Sequence, residues 1–303
     1  MTPCLCCGRP LDDTTGEHHA ECLHELFGTS TPLAVDVDLA RLHTLALAMV
    51  GRVSVSGVQR KLSVHVDTAR ATLQIAAGPS RYLLKPQAAT FPHLPENEWV
   101  TQRLAALAGI VVPPAALLRL RDDSFAYVVR RFDRRDDGRK RAMEDFCQLA
   151  GLQPAEKYSA STELCGRIVA RFASEPLIEQ LRLYRQVRFA WWVGNGDLHL
   201  KNLALLREDD GLWRLSPAFD QLNTRLVLPD DALALPIDGK RDNLKPASWR
   251  RFGERLGLGS RARERVDAEL RAALPDALAL LAAAPLPDTM RRNYADLLQA
   301  RAP

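Results

Sequence analysis

Residues 194–203 read Gly-Asn-Gly-Asp-Leu-His-Leu-Lys-Asn-Leu and follow a stretch, 177–192, whose apolar residues recur at helical spacing. Asp197 precedes Asn202 by five residues. That order is typical of a catalytic loop for phosphoryl transfer, where the aspartate orients an attacking hydroxyl and accepts its proton while the asparagine helps to hold Mg²⁺. The stretch therefore predicts a phosphoryl-transfer site directly after a helix.

A second metal ligand follows downstream. Asp220 lies eighteen residues after Asn202, at the end of Leu-Ser-Pro-Ala-Phe-Asp, and behind a strand–turn–strand pattern around residues 209–211. Mg²⁺ prefers hard oxygen ligands and takes few protein carboxylates beside phosphate oxygens. We therefore predict Asn202 and Asp220 as Mg²⁺ ligands, against the alternative of a polar loop with incidental acids.

The phosphate-binding parts are expected upstream. Lys85 ends the strand-like run 82–85, and either Glu96 or Glu98 on the next helix can orient it toward nucleotide phosphates. The serine-rich stretch 54–61 holds a single glycine, a weak phosphate-loop signal that a plain loop before a hairpin would also give. A lone lysine at a strand end is usually solvated, but the order of these parts along the chain favours a function.

Hydrophobic periodicity divides the chain into two unequal parts. Apolar residues alternate with polar ones through much of residues 53–129, and one helix begins at Pro95 and ends before Gly109. From residue 143 onward the pattern is mostly helical. The segment 131–141 carries six basic and three acidic residues, which favours a solvated hinge turn over a nucleic-acid patch. The predicted class is α+β, with a small sheet bearing one helix and a larger helical part.

Composition excludes several classes of protein. The chain has 303 residues, 47% of them apolar and 26% charged, with a net charge of +4, which is ordinary for a soluble globular protein and does not indicate a nucleic-acid binder. The longest apolar run, 277–284, is too short to cross a membrane. The first residues lack the pattern of a secretion signal, so we expect a cytoplasmic protein without membrane contact.

The cysteines are clustered, since Cys4, Cys6, Cys7 and Cys22 all lie near the start of the chain. Cys4-x-x-Cys7 followed by His19-x-x-Cys22 offers three thiolates and an imidazole, the ligand set of a structural zinc site. His18 is a rival for the imidazole position. The alternative is a tail with unpaired thiols.

As a set, these motifs resemble the HipA family of bacterial serine/threonine kinases, which are toxins of toxin–antitoxin systems. Further matching motifs are Val-Val-Arg-Arg-Phe-Asp-Arg at 128–134 and Glu-Asp-Phe-Cys-Gln at 144–148. The resemblance runs from residue 54 to at least 240 and implies a bilobal protein-kinase-like fold. We expect a lead-in over 1–50, a small lobe with the hinge over 51–132 and a helical lobe over 133–303. The length resembles that of the short HipT-type members.

The resemblance also implies roles for single residues. Asp197 would be the catalytic base, supported in its loop by His199 and Lys201, and Asn202 and Asp220 would hold Mg²⁺. Family members phosphorylate a serine of their own phosphate loop, which here matches Ser54 or Ser56, and the added charge should repel the triphosphate. The residues expected to bind ATP are Ser56, Gly57, Val58, Gln59, Lys61, Lys85, Glu98, Arg130 and Phe132.

The partners follow from the same resemblance. They would be a HipB- or HipS-like antitoxin, DNA only through that antitoxin, and a translation component such as an aminoacyl-tRNA synthetase as the protein substrate. Two departures from the family pattern are Arg130, where many members have glutamate, and Gln221, where an apolar residue is more usual. Two other functions stay open: a small-molecule kinase of the aminoglycoside/choline type, whose loop is similar, and a non-catalytic pseudokinase-like regulator.

Overall fold

The small lobe is built on an antiparallel sheet, as the alternating apolar pattern predicts. The structure, a computed structural model, describes residues 2–11, 16–35, 37–48, 60–76, 78 and 80–303. Five strands pair in the order β2-β1-β3-β5-β4. They are β1 (Leu62–Asp67), β2 (Thr72–Ile75), β3 (Tyr82–Pro86), β4 (Ala115–Arg119) and β5 (Phe125–Arg130), and helix α3 (Leu94–Leu107) connects β3 to β4.

The two faces of this sheet bury different cores, because neighbouring residues of a strand point to opposite sides. Leu84 pairs with Val128, and both lie in a core on the outer face. Lys85 pairs with the next residue along β5, Tyr127, which lies in the main core between α3 and the large lobe. The pairing register therefore aims Lys85 toward the interior of the molecule.

The lead-in packs onto the outer face of the sheet. It contains α1 (Ala20–Phe27) and α2 (Leu39–Ala48), and Leu23, Phe27 and Leu42 belong to the same buried cluster as the sheet residue Val64. Tyr82 in β3 also donates a hydrogen bond to the carbonyl of Leu26, at 2.7 Å. Helices α1 and α2 thus share the core of the small lobe, in addition to the one helix, α3, expected on the sheet.

The large lobe is mostly helical, so the predicted α+β class with a small sheet-rich lobe and a larger helical lobe is confirmed. Its short sheet has the order β6-β7-β8. The elements are β6 (Met143–Asp145), α4 (Phe146–Leu149), α5 (Thr162–Phe172), α6 (Pro176–Val193), β7 (Ala204–Arg207), β8 (Trp213–Leu215), α7 (Pro246–Arg255), α8 (Ser260–Ala272), α9 (Leu274–Ala283) and α10 (Asp288–Arg301). Among the helices of the described ranges, none is long and apolar enough to cross a membrane.

Helix α3 joins the two lobes. Eleven of its fourteen residues are buried, and it packs against β5 on one side and α9 on the other. Asn97 exchanges two hydrogen bonds with the backbone of Asn223, at 2.8 and 2.9 Å. The Thr101 hydroxyl lies 2.8 Å from that of Tyr294 in α10. These contacts fix the helix that carries Glu98 relative to the large lobe.

Candidate active site

A cleft lies between the lobes, with the sheet above and β6 and the 216–220 segment below. Its walls combine apolar side chains with a buried group of lysines and carboxylates. The residues that line it are Lys61, Leu83, Lys85, Glu98, Gln102, Pro113, Tyr127, Val129, Arg130, Arg131, Phe132, Asp133, Met143, Phe219 and Asp220.

Lys85 is the centre of the polar group. Its ammonium lies 2.5 Å from Glu98 Oε1 and 2.5 Å from Asp220 Oδ1, and its side chain is 3% exposed. Glu96, the other candidate partner, instead lies 2.9 Å from His93 Nδ1. The structure thus pairs Lys85 with Glu98 and not with Glu96. Burial disfavours the charge on the lysine, but the two carboxylates outweigh it and raise the pKa of Lys85 above its usual value.

Asp220 is held by two lysines. Lys61 Nζ lies 2.5 Å from Asp220 Oδ2, while Lys85 holds Oδ1. Burial would raise the pKa of this carboxyl, but the two ammonium groups lower it far below its usual range. Asp220 therefore stays ionised. Its backbone lies in the left-handed region, with a φ of 52°. An anionic oxygen donor at this position fits the hard-ligand preference of Mg²⁺.

The catalytic-loop motif begins where α6 ends. Gly194 adopts φ 71° and closes the helix, a conformation that glycine tolerates best. A β-carbon on Gly196 would collide with the Asp231 carboxylate and lie 2.5 Å from the Ala232 carbonyl, so the chain passes too closely there for any side chain. The Asn202 amide nitrogen donates to the Asp197 carbonyl at 2.9 Å, which holds the two ends of the motif together. Asn202 has its amide oxygen to offer to a metal.

The Asp197 side chain is accessible to solvent. It is 41% exposed and accepts a hydrogen bond of 2.6 Å from the hydroxyl of Tyr158. His199 Nε2 lies 3.8 Å from Asp197 Oδ1, and its ring meets that of Tyr158 edge-on, with centroids 5.0 Å apart. Burial lowers the pKa of His199, which favours the neutral imidazole. Tyr158 belongs to none of the sequence motifs, so spacing gave no signal for it.

Lys201 is held by Asp145, which belongs to the Glu-Asp-Phe-Cys-Gln motif but has no role predicted from the sequence. Lys201 Nζ lies 2.9 Å from Asp145 Oδ2. The other oxygen of Asp145 accepts the backbone N–H of Gln148 at 2.9 Å and caps α4. The ion pair therefore ties Lys201, a residue of the catalytic-loop motif, to the start of α4.

The predicted hinge lies at the end of β5, next to the apolar part of the cleft. Phe132 packs against Phe219 with ring centroids 5.5 Å apart. The Arg130 guanidinium lies 2.7 Å from Asp136, and Arg131 holds Asp133 through two nitrogens. Apolar side chains beside a charged edge suit a flat heterocyclic base joined to a phosphate chain.

Gln221 is fully buried and has polar partners, although an apolar residue was expected there. Its amide donates to the Phe219 carbonyl at 2.9 Å, and Asn195 donates to Gln221 Oε1 at 3.2 Å. These bonds connect the segment of Asp220 to the start of the catalytic loop, and they account for a glutamine at this site.

The arrangement of these residues agrees with a comparison against protein families. Residues 53–278 match the model of the HipA-like C-terminal domain. The chain belongs to this HipA-like family. The match covers the whole cleft and begins after the cysteine cluster, which therefore lies outside it.

Relatives of this HipA-like chain carry kinase names. A protein of Sinorhizobium fredii named "Putative kinase Y4mE" is 32% identical over 221 residues, which are 69% of this chain and 52% of the relative. A second from the same organism, "Putative kinase Y4dM", is 30% identical over 188 residues, 57% of this chain and 45% of the relative. The chain thus spans about half the length of these two relatives.

Two solved structures share the HipA-like fold. HipA of Shewanella oneidensis, from a complex with HipB and operator DNA, has a TM-score of 0.68 and 23% identity over 82% of this chain and 64% of its own. The Helicobacter pylori proinflammatory kinase CtkA has a TM-score of 0.52 and 13% identity over 73% of this chain and 86% of its own. The predicted protein-kinase-like fold is confirmed.

Six of the predicted site residues of this HipA-like chain line the cleft, whereas Asp197, His199, Lys201 and Asn202 lie in the catalytic-loop motif and are not among its lining residues. Lys61, Lys85, Glu98 and Asp220 form one group in the cleft wall, which also includes Arg130 and Phe132. Five predicted residues lie outside the described residues: Ser54, Ser56, Gly57, Val58 and Gln59.

The predicted zinc ligands also lie together. The donor atoms of Cys4, Cys7, His19 and Cys22 are all within 4.8 Å of one another. The rival His18 points elsewhere, since its Nε2 donates to the Leu117 carbonyl at 2.8 Å. Hydrogen bonding with Cys4 and burial raise the pKa of the Cys7 thiol to about 11.

Proposed function

We propose that this protein is a serine/threonine protein kinase that uses ATP and Mg²⁺, and that it is the toxin of a HipA/HipT-type toxin–antitoxin system. The observation that carries the kinase proposal is the Lys85–Glu98–Asp220 group in the interlobe cleft. The segment of Asp220 is joined to the start of the Asp197–Asn202 loop by the hydrogen bond from Asn195 to Gln221. A lysine–glutamate ion pair together with an aspartate and an asparagine for the metal is the minimum set of protein-kinase chemistry.

Each residue has a task in this mechanism. Lys61 and Lys85 supply two positive charges for the nucleotide phosphates, and Glu98 keeps Lys85 extended into the cleft. The apolar walls around Phe132 and Val129 receive the base. Asp220 and Asn202 would hold Mg²⁺, which supplies charge neutralisation for the transferred phosphoryl group.

Asp197 is suited to accept the proton of the substrate hydroxyl. Its carboxylate is 41% exposed, so a hydroxyl of another chain can reach it. The hydrogen bond from Tyr158 fixes one oxygen and leaves the other for the incoming hydroxyl. Positioning of this kind contributes most of the rate in phosphoryl transfer, since the protein forms no covalent bond to the phosphate.

We further propose that the kinase phosphorylates Ser54 or Ser56 of its own loop and limits itself in this way. Both serines precede Lys61 in the chain by seven residues or fewer, and Lys61 contacts Asp220. A phosphoserine brings a charge of about −1.5 to −2. Next to this lysine it would compete with the nucleotide phosphates for the same cation.

The partners are proposed from the relatives. The structural neighbour from Shewanella oneidensis is in complex with HipB and operator DNA. We propose a HipB- or HipS-like antitoxin for this chain, contact with DNA through that antitoxin only, and a cytoplasmic translation component such as an aminoacyl-tRNA synthetase as the substrate.

Incubation with Mg·[γ-³²P]ATP and a bacterial lysate, followed by mass spectrometry, tests the proposal. We expect labelled serine or threonine on this chain and on a lysate protein, loss of both with Asp197→Ala, and full labelling with Asp296→Ala, an exposed aspartate of α10. Labelling of an aminoglycoside or choline without protein labelling would assign a small-molecule kinase. Failure to bind Mg·ATP would assign a non-catalytic regulator.

A further inference from the structure

The group of thiols and imidazole near the start of the chain has the dimensions of a metal site. His19 Nδ1 lies 3.4 Å from Cys7 Sγ and 3.9 Å from Cys22 Sγ. Cys4 Sγ is within 4.8 Å of all three donors. A tetrahedral zinc with Zn–S bonds of about 2.3 Å holds its donor atoms about 3.8 Å apart. The four donors therefore lie around a space that such an ion fits.

The backbone around Cys4 is folded to present its sulfur. The Gly8 N–H donates to the Cys4 carbonyl at 2.8 Å, and Gly8 has a φ of 80°, so a tight turn brings Cys7 beside Cys4. The His19 N–H points to Cys4 Sγ at 3.3 Å. A backbone donor aimed at sulfur stabilises a thiolate, the form that binds metal.

The protonation of His19 is set by its second nitrogen. Nε2 lies 3.0 Å from the Pro10 carbonyl. A carbonyl can only accept, so Nε2 carries the hydrogen and Nδ1 presents a lone pair to the sulfurs. A ring N–H bound to a backbone carbonyl behind the ligating nitrogen is the usual support of a metal-binding histidine.

We propose that Cys4, Cys7, His19 and Cys22 bind one structural Zn²⁺. All four tetrahedral positions are filled by protein, so the ion has no place for a substrate. Three thiolates, a neutral imidazole and Zn²⁺ leave one net negative charge. Arg9, whose Nε lies 3.5 Å from Cys7 Sγ, is placed to offset it.

The ion would hold the segment 4–22 against β4, the edge strand of the small-lobe sheet. β4 ends the strand order, and unpaired edges invite contacts with other chains. The Leu117 N–H of β4 donates to the Leu5 carbonyl at 2.9 Å, and the Leu117 carbonyl accepts from His18. Leu5 lies between two zinc ligands and His18 is next to a third, so fixing the ligands fixes both edge bonds.

The same segment also touches the large lobe. A β-carbon on Gly8 would lie 2.7 Å from Leu280 Cδ1 in α9, so the turn of the cysteine pair sits directly against that helix. Glu17 pairs with Arg119 at the end of β4, at 2.7 Å. The proposed zinc therefore holds residues that contact both lobes, at a distance in sequence from every residue of the kinase motifs.

Metal analysis of the purified full chain, grown with zinc and isolated without chelator, tests this site. We expect about one zinc per chain in the wild type. Cys22→Ser and His19→Ala should each lower the zinc content at least about tenfold, because each removes a ligand of the ion. Loss of the hydrogen-bond partner behind a ligand already costs about 10- to 100-fold in metal affinity, and loss of the ligand itself should cost more. Two matched controls should keep their zinc: Cys6→Ala, a thiol between two ligands, and His18→Gln, the rejected imidazole.

Cobalt substitution of the wild type keeps the test informative where a variant does not fold. Co²⁺ bound by three thiolates and one imidazole should give strong tetrahedral d–d bands and a thiolate charge-transfer band. A wild type without zinc, an octahedral cobalt spectrum, a disulfide among these cysteines, or zinc lost with His18→Gln but kept with His19→Ala would overturn the proposal. None of these readouts depends on kinase activity, so they separate this site from the proposed function.

Discussion

The molecule contains two groups of converging polar side chains that differ in how their charge is balanced. In the cleft, Lys61 and Lys85 face Glu98 and Asp220, so two cations meet two carboxylates. In the cysteine group, three sulfurs and an imidazole converge, and the nearby cation Arg9 approaches from an exposed position. The charges of the first group balance one another, whereas the second is a set of donors with the geometry to bind a cation.

The difference has a consequence for ligand exchange. In the proposed kinase, nucleotide phosphates would replace Asp220 as partners of the lysines, and Asp220 would then be available to Mg²⁺, so each bond lost would be replaced by one of the same kind. Zinc leaving the cysteine group would instead leave three sulfurs and an imidazole without a cation, and the sulfurs would have to take up protons in its place. We therefore expect the cleft to exchange ions readily and the cysteine group to keep its ion.

Removal of the catalytic carboxylate should give the largest effect. We expect Asp197→Asn to lower phosphoryl transfer by about 10²–10⁴-fold, the usual contribution of a general base. The lysine–carboxylate group of the cleft and the cysteine group should both stay intact, because the Asp197 side chain is partly exposed and is hydrogen-bonded to Tyr158, which belongs to neither group. The measurement is the initial rate of ³²P incorporation beside the nucleotide dissociation constant. Weaker binding with an unchanged rate would contradict the assigned role.

Breaking the balance in the cleft should cost stability. Lys85→Met leaves Glu98 buried without its cation, and we expect a loss of about 3–5 kcal/mol in the free energy of unfolding. The double variant Lys85→Met/Glu98→Gln should recover part of this loss, because it removes the unpaired charge at Glu98. Urea unfolding of the two variants and the wild type measures the difference. A double variant no more stable than Lys85→Met would show that the pair is not the source of the loss.

Withdrawal of zinc should affect the cysteine group and leave the cleft unchanged. A zinc chelator is expected to lower stability by about 3 kcal/mol, since metal binding contributes to folding. For a protein of this size that corresponds to a fall in Tm of about 5 °C. Removal of Mg²⁺ without ATP present should leave Tm unchanged. Equal responses to both treatments would contradict the contrast between the groups.

A smaller ion-paired group at the hinge should give the smallest effect, and one that depends on pH. Burial would raise the pKa of Asp133, but Arg131 and Arg134 lower it below its usual value. The stabilisation is complete above the ordinary pKa of aspartate and is lost as the pH falls through the lower folded value. At pH 7 we expect Asp133→Asn to cost about 1.5–3 kcal/mol. The difference in the free energy of unfolding between wild type and Asp133→Asn should shrink as the pH falls, measured by urea unfolding at a series of pH values. A constant difference down to pH 3 would contradict the stabilising role of the ionised Asp133.

Local patterns predicted much of the fold and of the cleft. The five strands and the helices α3 and α6 are predicted from periodicity, because apolar residues recur at every second position of a strand and at every third or fourth position of a helix. The sequence leaves Glu96 and Glu98 open as partners of Lys85, and the structure joins Glu98 and Asp220 to it.

Contacts between distant segments could not be predicted. The bond of Tyr158 to Asp197 joins residues 39 positions apart, and that of Asp145 to Lys201 joins residues 56 apart. Neither has a local spacing that signals it. The choice between Glu96 and Glu98 likewise depended on the rotation of α3, since residues two apart on a helix point about 200° apart.

The burial of α3 restricts how the proposed kinase can be switched. In kinases whose corresponding helix can move, activity is set by bringing its glutamate to the lysine or taking it away. Here such a movement would break the Asn97–Asn223 bonds and pull Thr101 from Tyr294, inside a packed core. The ion pair of Lys85 and Glu98 is thus a fixed part of the fold. We therefore expect a regulator of the proposed kinase to act on access to the cleft or on the nucleotide rather than on the position of α3.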